Sequence, residues 1–198
     1  MRLIDLCHFQ TGFTARRRLE PSFGDGQLAL QLRDLREDGS IDMQGLQRFD
    51  LGLLPARYAV KPGDVVFRSR GQSTIAYLVP EVMTEPVVAL LPLIILRPRP
   101  EIVTPEYLVW VINQPGAQRQ IDAEAQGTSL RMIPKTSLEG ILVPVPDLGT
   151  QRLVVEVARL SARETSLLRD LADITKIHTS QVLASLVQTG AKLKGAHQ

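Results

Sequence analysis

Apolar and polar residues alternate along several short segments in the first half of the chain, as they do in half-buried strands. The segment QLALQLRDL, residues 27–35, has this period of two, and EDGS at 37–40 supplies a turn toward a returning strand at 41–43. A second turn, KPGD at 61–64, precedes VVFRSRG, in which successive side chains point to opposite faces. The segments STIAYLV and VVALLPLIILR predict further strands. The pattern therefore predicts a small, mostly antiparallel sheet.

Helical signals follow the strands. TPEYLVWVIN, residues 104–113, predicts a helix with Thr104 as the N-cap and Pro105 in the first helical position. QRQIDAEAQG predicts a further helical turn that ends at Gly127. Short helices therefore accompany the sheet, and the expected fold class is α+β.

The C-terminal part predicts one long helix. From Thr150 to about Gln188 the chain has no proline and no glycine, and Gly149-Thr150 is expected to start the helix. Residues spaced alternately four and three apart form the seam of a coiled coil. The members of this seam are Leu153, Val157, Leu160, Glu164, Leu167, Leu171, Ile174 and His178. An apolar face continues, after a small phase shift, through Val182, Leu183, Leu186 and Val187. A stripe of this length on so small a protein needs a second helix as its partner; the alternative to a dimer seam is an arm of an intramolecular bundle.

These elements divide the chain into three predicted parts. Residues 1–147 form a domain, which we call the head, and residues 148–188 form a long helix that is expected to pair with another helix. Residues 189–198 are polar and are expected to be a disordered tail.

Composition agrees with a globular protein of 198 residues, of which 44% are hydrophobic. No apolar run reaches the roughly 18 residues that cross a bilayer, and the N-terminus lacks the apolar run of a signal peptide. The chain has one cysteine, Cys7, so it cannot form an internal disulfide. We therefore expect a cytoplasmic protein that does not enter a membrane.

The net charge of +2 does not by itself indicate nucleic-acid binding. Residues 1–146 carry 16 basic and 16 acidic side chains, so the head is neutral. Of those 16 cations 14 are arginine, whose planar guanidinium suits bidentate contacts to guanine or phosphate. A GC-rich coding sequence would give the same bias.

Motifs that carry catalysis are missing from the sequence. There is no phosphate-binding GxxxxGK[ST] loop, no HExxH, no CxxC and no GxSxG. Cys7 and His8 are neighbours, but adjacent residues of a strand point to opposite faces and make a poor nucleophile and base. NQPG at 113–116 is explained by helix termination. We therefore expect no catalytic residue, no metal and no cofactor in this chain.

Three segments in this order resemble one protein family. They are VKPGDVVFRSRG, then PEYLVWVIN with QRQIDAEAQGTSLRMI, and LEGILVPVPDLGTQRLVVEVARL. Together they are similar to one half of the specificity subunit of type I restriction–modification systems, a target recognition domain followed by a long conserved helix. The family commonly has an acidic residue where this chain has Thr150, before the glutamine that matches Gln151.

The resemblance implies a function. Such subunits usually contain two recognition domains and two antiparallel helices, whereas this chain has one of each, as a natural half-subunit or a fragment would. It implies a non-catalytic protein that binds double-stranded DNA and recruits methyltransferase and restriction subunits. S-adenosylmethionine would bind the methyltransferase subunits. Two copies paired through the helix, as a homodimer, would recognise a bipartite target.

The residues expected to contact DNA lie in three polar segments of the head. They are Arg16, Arg17 and Arg18 in the first, Arg68, Arg70, Gln72, Ser73 and Thr74 in the second, and Gln126, Thr128, Ser129 and Arg131 in the third. A solvated polar surface is the alternative for each. For the whole protein, the alternative is an interaction scaffold or inhibitor with a recognition-like head and no specific DNA binding. A methyltransferase acting alone is improbable because no cofactor loop is present.

Overall fold

The computed structural model describes residues 1–15, 19–22, 24, 26–71, 73–83, 85–127 and 131–195, with side chains described up to residue 186. The strands are β1 Cys7–Thr11, β2 Gln27–Leu30, β3 Gln47–Phe49, β4 Ala59–Val60, β5 Val65–Arg68, β6 Ala76–Leu78, β7 Val87–Ala89 and β8 Leu93–Pro98. The helices are α1 Leu3–Leu6, α2 Pro105–Ile112, α3 Pro115–Ala123, α4 Lys135–Gly140 and α5 Leu148–Gly195. Short 3₁₀ turns lie at Leu32–Asp34 and Ala56–Tyr58. The chain divides into two compact units, Met1–Val155 and Glu156–Gln198.

The strands form two sheets where the sequence predicted one. The first has the order β1-β8-β5-β6 and is antiparallel throughout, and the second has the order β3-β2-β7-β4. In the second sheet β2 and β7 run parallel, and the other pairs are antiparallel. The mostly antiparallel α+β fold is thus confirmed. The division into two sheets depends on pairing between distant segments, which the alternation of residues does not encode.

The first sheet is buried on both faces. On β5, Val65 and Phe67 pack with the short helices, whereas Val66 packs with the second sheet. On β8, Ile94 packs with the short helices and Ile95 packs with the second sheet. This is the alternation expected of VVFRSRG, and it places the first sheet between a helical layer and the second sheet.

Individual elements differ from the sequence expectations in their bounds. The segment 27–35 forms β2 and then a 3₁₀ turn, and the antiparallel partner of β2 is β3. At the predicted returning strand, Ile41 makes only an isolated bridge to Leu35. α3 begins at Pro115, earlier than the predicted helical turn, because proline fits the first position of a helix. Helix α2 agrees with the prediction, and its N-cap Thr104 accepts a hydrogen bond from the Tyr107 amide (3.3 Å).

Helix α5 has 48 residues, about 72 Å at the standard rise. It starts at Leu148, two positions before the predicted Thr150, and it extends beyond 189, where the sequence predicted a tail without regular structure. Among the described residues, no helix combines the length and the apolar content needed to span a membrane.

Candidate nucleic-acid interface

Two of the three predicted DNA-binding segments lie side by side. Arg70 pairs with Met132 in an antiparallel bridge. On either side of it, the Gly71 amide donates to the Arg131 carbonyl (3.1 Å) and the Ile133 amide donates to the Ser69 carbonyl (2.8 Å). The backbone of β5 thus continues past its last residue as a ribbon with the segment that starts at Arg131.

Gln126 joins the same ribbon from the other side. Its amide donates to the Met132 carbonyl (3.0 Å), and the Met132 amide donates back to the Gln126 carbonyl (2.9 Å). Three stretches of backbone that are far apart in the sequence are therefore held in register. Polar side chains on these stretches therefore project from one hydrogen-bonded backbone frame.

The predicted DNA-binding residues differ in exposure. Arg70, Ser73 and Gln126 are exposed. Arg131 is half-buried, and its guanidinium pairs with the Asp122 carboxylate (3.0 Å) and donates to the Asp122 carbonyl (2.9 Å). Arg16, Arg17, Arg18, Gln72, Thr128 and Ser129 lie outside the described residues.

Thr74 lies beneath this surface. It is 6% exposed, and its carbonyl accepts from the Gln118 side chain (3.1 Å). The backbone of Ala76 is held by the amide of Asn113, which receives the Ala76 N–H (2.8 Å) and donates to the Ala76 carbonyl (2.9 Å). Asn113 thus takes the place of a further strand at the edge of β6, which gives the NQPG segment a structural role beyond ending α2.

Arg68 folds back over its own loop. Its Nε donates to the Arg70 carbonyl (3.3 Å). Gly71 has φ +126°, and a Cβ there would lie 3.0 Å from the Arg68 guanidinium. The backbone conformation therefore favours glycine here, and a Cβ would also require the Arg68 guanidinium to move slightly. Arg68 shapes the loop that presents Arg70.

Sequence reasoning missed the turn between β7 and β8. Leu91 and Pro92 line one surface hollow of about 280 Å³ together with Ser69, Arg70 and Met132. The apolar character of VVALLPLIILR predicts strand throughout that segment. Pro92, which lacks the amide that a central strand needs, was the signal that could have located a turn there.

The KPGD turn holds the beginning of β5. The buried Asp64 carboxylate accepts the Lys61 amide (2.9 Å) and lies 3.4 Å from the Arg97 guanidinium. Burial raises the pKa of Asp64, and the Lys61 amide and Arg97 oppose that rise. The net rise in the pKa of Asp64 reflects its burial, although the carboxylate and the Arg97 guanidinium have the geometry of an ion pair. This motif therefore has a structural role.

The start of α5 is fixed by two polar side chains. Asp147 accepts from the Thr150 amide (3.0 Å) and hydroxyl (2.7 Å), so Asp147, not Thr150, caps the helix. The Thr150 hydroxyl and amide lower the pKa of Asp147. Gln151 is fully buried. Its Oε1 accepts from the Thr104 amide (3.0 Å), and its Nε2 donates to the carbonyls of Ile102 (2.9 Å) and Pro146 (2.8 Å).

The seam of α5 is exposed. Its six apolar members are 51% to 64% exposed, and Glu164 and His178 are exposed as well. Leu183 and Leu186 are also exposed, on a face of α5 that is shifted around the helix from the seam. Side chains of this kind are normally removed from water, so the stripe has the character of an unoccupied interface.

Cys7 and His8 do not form a catalytic pair. Cys7 is buried and its thiol donates to the Leu3 carbonyl (3.2 Å), whereas His8 is exposed. Burial raises the pKa of Cys7 to about 12. The thiol is therefore protonated near neutral pH and packs as a small apolar side chain.

The fold is similar to that of solved specificity subunits. A chain described in a study of complex assembly and conformational transition of the type I R-M system is 21% identical, with a TM-score of 0.66 over 89% of this chain and 45% of that one. The HsdS subunit from Thermoanaerobacter tengcongensis is 19% identical, with a TM-score of 0.61 over 86% of this chain and 43% of that one. The type I restriction-modification system S subunit from M. genitalium is 11% identical, with a TM-score of 0.54 over 88% and 41%.

This chain therefore spans less than half the length of the solved chains that it matches. No protein-family model and no curated protein matches the sequence. The likeness shows a specificity-subunit-like fold.

Proposed function

We propose that this chain is a DNA-binding specificity subunit of a type I restriction–modification system. The observation that carries the proposal is the fold likeness, which takes in 86% to 89% of this chain but only 41% to 45% of each solved subunit. The resemblance implies that a whole subunit has two recognition domains and two helices. A chain with one of each supplies half of that arrangement, and a second copy supplies the rest.

The second copy binds through α5. Two antiparallel α5 helices about a twofold axis bury both seams, as the exposure of Leu160, Leu167 and Leu171 requires. Glu164 and His178 are the polar members of the seam and limit the registers in which the helices pair well. The target is then two half-sites at a fixed spacing, palindromic because both heads are identical.

Self-pairing is tested by one charge placed on either side of the helix. Leu171→Glu puts a carboxylate in the seam, whereas Ser166→Glu puts the same group on the opposite side, where it remains in water. Light scattering is expected to give a dimer for the parent chain and for Ser166→Glu, and a monomer for Leu171→Glu. A parent chain that is monomeric at high concentration contradicts the pairing.

DNA is bound by the exposed residues of the ribbon. Arg70 donates to guanine or phosphate, and Ser73 and Gln126 donate to and accept from base edges. Arg131, once released from Asp122, adds a phosphate contact, and Arg68 shapes the loop. The other residues expected to contact DNA from the sequence, Arg16, Arg17, Arg18, Gln72, Thr128 and Ser129, belong to the same three segments.

Selection from a random duplex pool tests this role. The full chain is expected to retain a subset of sequences over scrambled versions of them, with log affinity falling against log salt by about 0.9 per phosphate contact. Retention of no sequence over its scrambled control contradicts the proposal. Binding with a flat salt dependence favours the interaction scaffold, which the neutral charge of the head also suits.

The chain itself is expected to catalyse nothing. Methyltransferase subunits that bind S-adenosylmethionine, together with restriction subunits, supply the chemistry, and the complex acts in the cytoplasm. A calorimetric titration of the chain with S-adenosylmethionine is expected to be flat. A saturable heat contradicts the division of labour and indicates a methyltransferase acting alone.

A further inference from the structure

The turn at Leu91-Pro92 separates two hollows on the surface of the N-terminal unit. The hollow of about 280 Å³ is shared with Arg70 and Met132. On the other side of the turn, a hollow of about 480 Å³ is lined by Phe13 and Arg33 among others. The turn is therefore a ridge beside the ribbon that presents Arg70.

The backbone of this ridge is fixed. The Leu91 amide donates to the Phe13 carbonyl (2.9 Å), and the Ser69 hydroxyl donates to the Pro92 carbonyl. The backbone of Gly12 approaches so closely that a Cβ there would lie 2.8 Å from the Leu91 nitrogen. Proline restricts the turn further. The backbone that carries the leucine is therefore held by two distant segments, at Gly12-Phe13 and at Ser69, and by the proline within the turn.

The side chain on this fixed backbone is apolar and faces solvent. Leu91 is 50% exposed and Met132, across the smaller hollow, is 43% exposed. Single exposed leucines are ordinary on protein surfaces. This one differs because a second exposed apolar side chain and Arg70 line the same hollow. No hydrogen bond or ion pair occupies the Arg70 guanidinium within the described residues.

An apolar group beside an unpaired guanidinium matches the chemistry of the DNA major groove. Thymine presents a C5 methyl group there, and guanine and phosphate present acceptors that suit arginine. A protein partner would also cover apolar groups, but the ribbon that carries Arg70 is otherwise polar, with Ser73 and Gln126 exposed. Double-stranded DNA offers contacts to the apolar side chains and to the Arg70 guanidinium at the same time.

We propose that Leu91 and Met132 contact the C5 methyl group of a thymine in the target, next to the base or phosphate that Arg70 binds. The inference rests on the proposed function and adds a specificity-determining pair to it. The affinity gained from one methyl group removed from water is about fourfold. The ridge thus selects an A·T pair at one fixed position of each half-site.

The test removes the methyl group from the DNA and the leucine from the protein separately. A duplex selected from a random pool is resynthesised with deoxyuridine in place of each thymine in turn, and its affinity is measured for the full chain. Leu91→Ala is measured on the same duplexes. Leu53→Ala is the control, because Leu53 is fully exposed and lines neither hollow.

The expected result is a loss of about fourfold for the parent chain and for Leu53→Ala at one thymine of each half-site, and no loss there for Leu91→Ala. The inference is overturned if the selected target has no fixed A·T pair. It is also overturned if no deoxyuridine substitution weakens binding, or if Leu91→Ala keeps the full discrimination. Those outcomes leave specific DNA binding intact, whereas a selection that enriches no sequence contradicts the proposed function itself. The deoxyuridine measurements on the parent chain test the inference even if Leu91→Ala fails to fold.

Discussion

Replacing Gln151 by methionine is expected to destabilise the N-terminal unit strongly. Methionine has nearly the same size, so the change opens little space but removes the fully buried partner of the Thr104 amide and of the Ile102 and Pro146 carbonyls, which are partly buried. One unpaired buried group costs about 1–3 kcal/mol, and three neighbours are not fully additive. We therefore expect a loss of about 3–5 kcal/mol, a large share of the stability of a domain of this size.

The measurement is urea unfolding followed by the fluorescence of Trp110. This is the one tryptophan of the chain, and it lies on α2, whose N-cap residue donates to Gln151. Arg152→Met is the matched control, since Arg152 is the exposed neighbour on α5 and should change stability by less than about 0.5 kcal/mol. A Gln151→Met variant within that same margin of the parent would refute the reasoning.

Gln151→Glu separates hydrogen bonding from charge. The carboxylate still accepts from the Thr104 amide, but it faces two carbonyl oxygens and is buried. Its pKa must therefore rise in the folded state, and stability relative to the parent should be best at low pH and be lost as pH rises through that raised pKa. Urea midpoints measured from about pH 4 to about pH 8 report the sign. A difference from the parent that does not vary with pH contradicts burial of the side chain.

Three further predictions concern other parts of the molecule. Gly71→Ala should weaken DNA binding by misplacing Arg70, because Gly71 has a positive φ and the Arg68 guanidinium lies against it. Gly116→Ala should not weaken DNA binding, because a Cβ at that position meets open space. Equal affinities for the two variants would contradict this. Cys7, with a pKa raised to about 12, should react with an aromatic disulfide only after unfolding, and rapid labelling in native buffer would contradict its burial. Because the pKa of Asp147 is lowered on folding, its contribution to stability is present above the pKa of the unfolded chain and is lost as pH falls through the pKa of the folded chain. Between about pH 5 and about pH 3, the parent should therefore lose more helix by circular dichroism than Asp147→Asn. Parallel losses in the two proteins would contradict the cap.

Local patterns predicted the elements whose causes are local. Thr104 and Pro105 defined the start of α2, and the alternation along Val65, Val66 and Phe67 matched the two cores on either side of β5. The long helix followed from the absence of proline and glycine after Gly149. Each of these depends on neighbours within a few residues.

Features made by distant pairing were not predictable in this way. The ribbon between Ser69 and Ile133 joins segments over sixty positions apart, and nothing in either segment names the other. The fixed turn at Leu91-Pro92 depends on Gly12 and Phe13, which are equally remote. Asp147 caps α5, whereas the sequence favours a start at Gly149-Thr150, because threonine is also a good cap residue. For the candidate site, the sequence predicts three DNA-binding segments, and the structure adds how two of them are joined.

The three hydrogen bonds of Gln151 go to main-chain atoms alone. A joint of that kind is indifferent to which amino acids stand at positions 102, 104 and 146, provided that the backbone keeps its course. Side chains at those positions can therefore change while the start of α5 stays attached through Gln151. Under the proposed function, recognition loops vary in sequence and the attachment of the helix is kept.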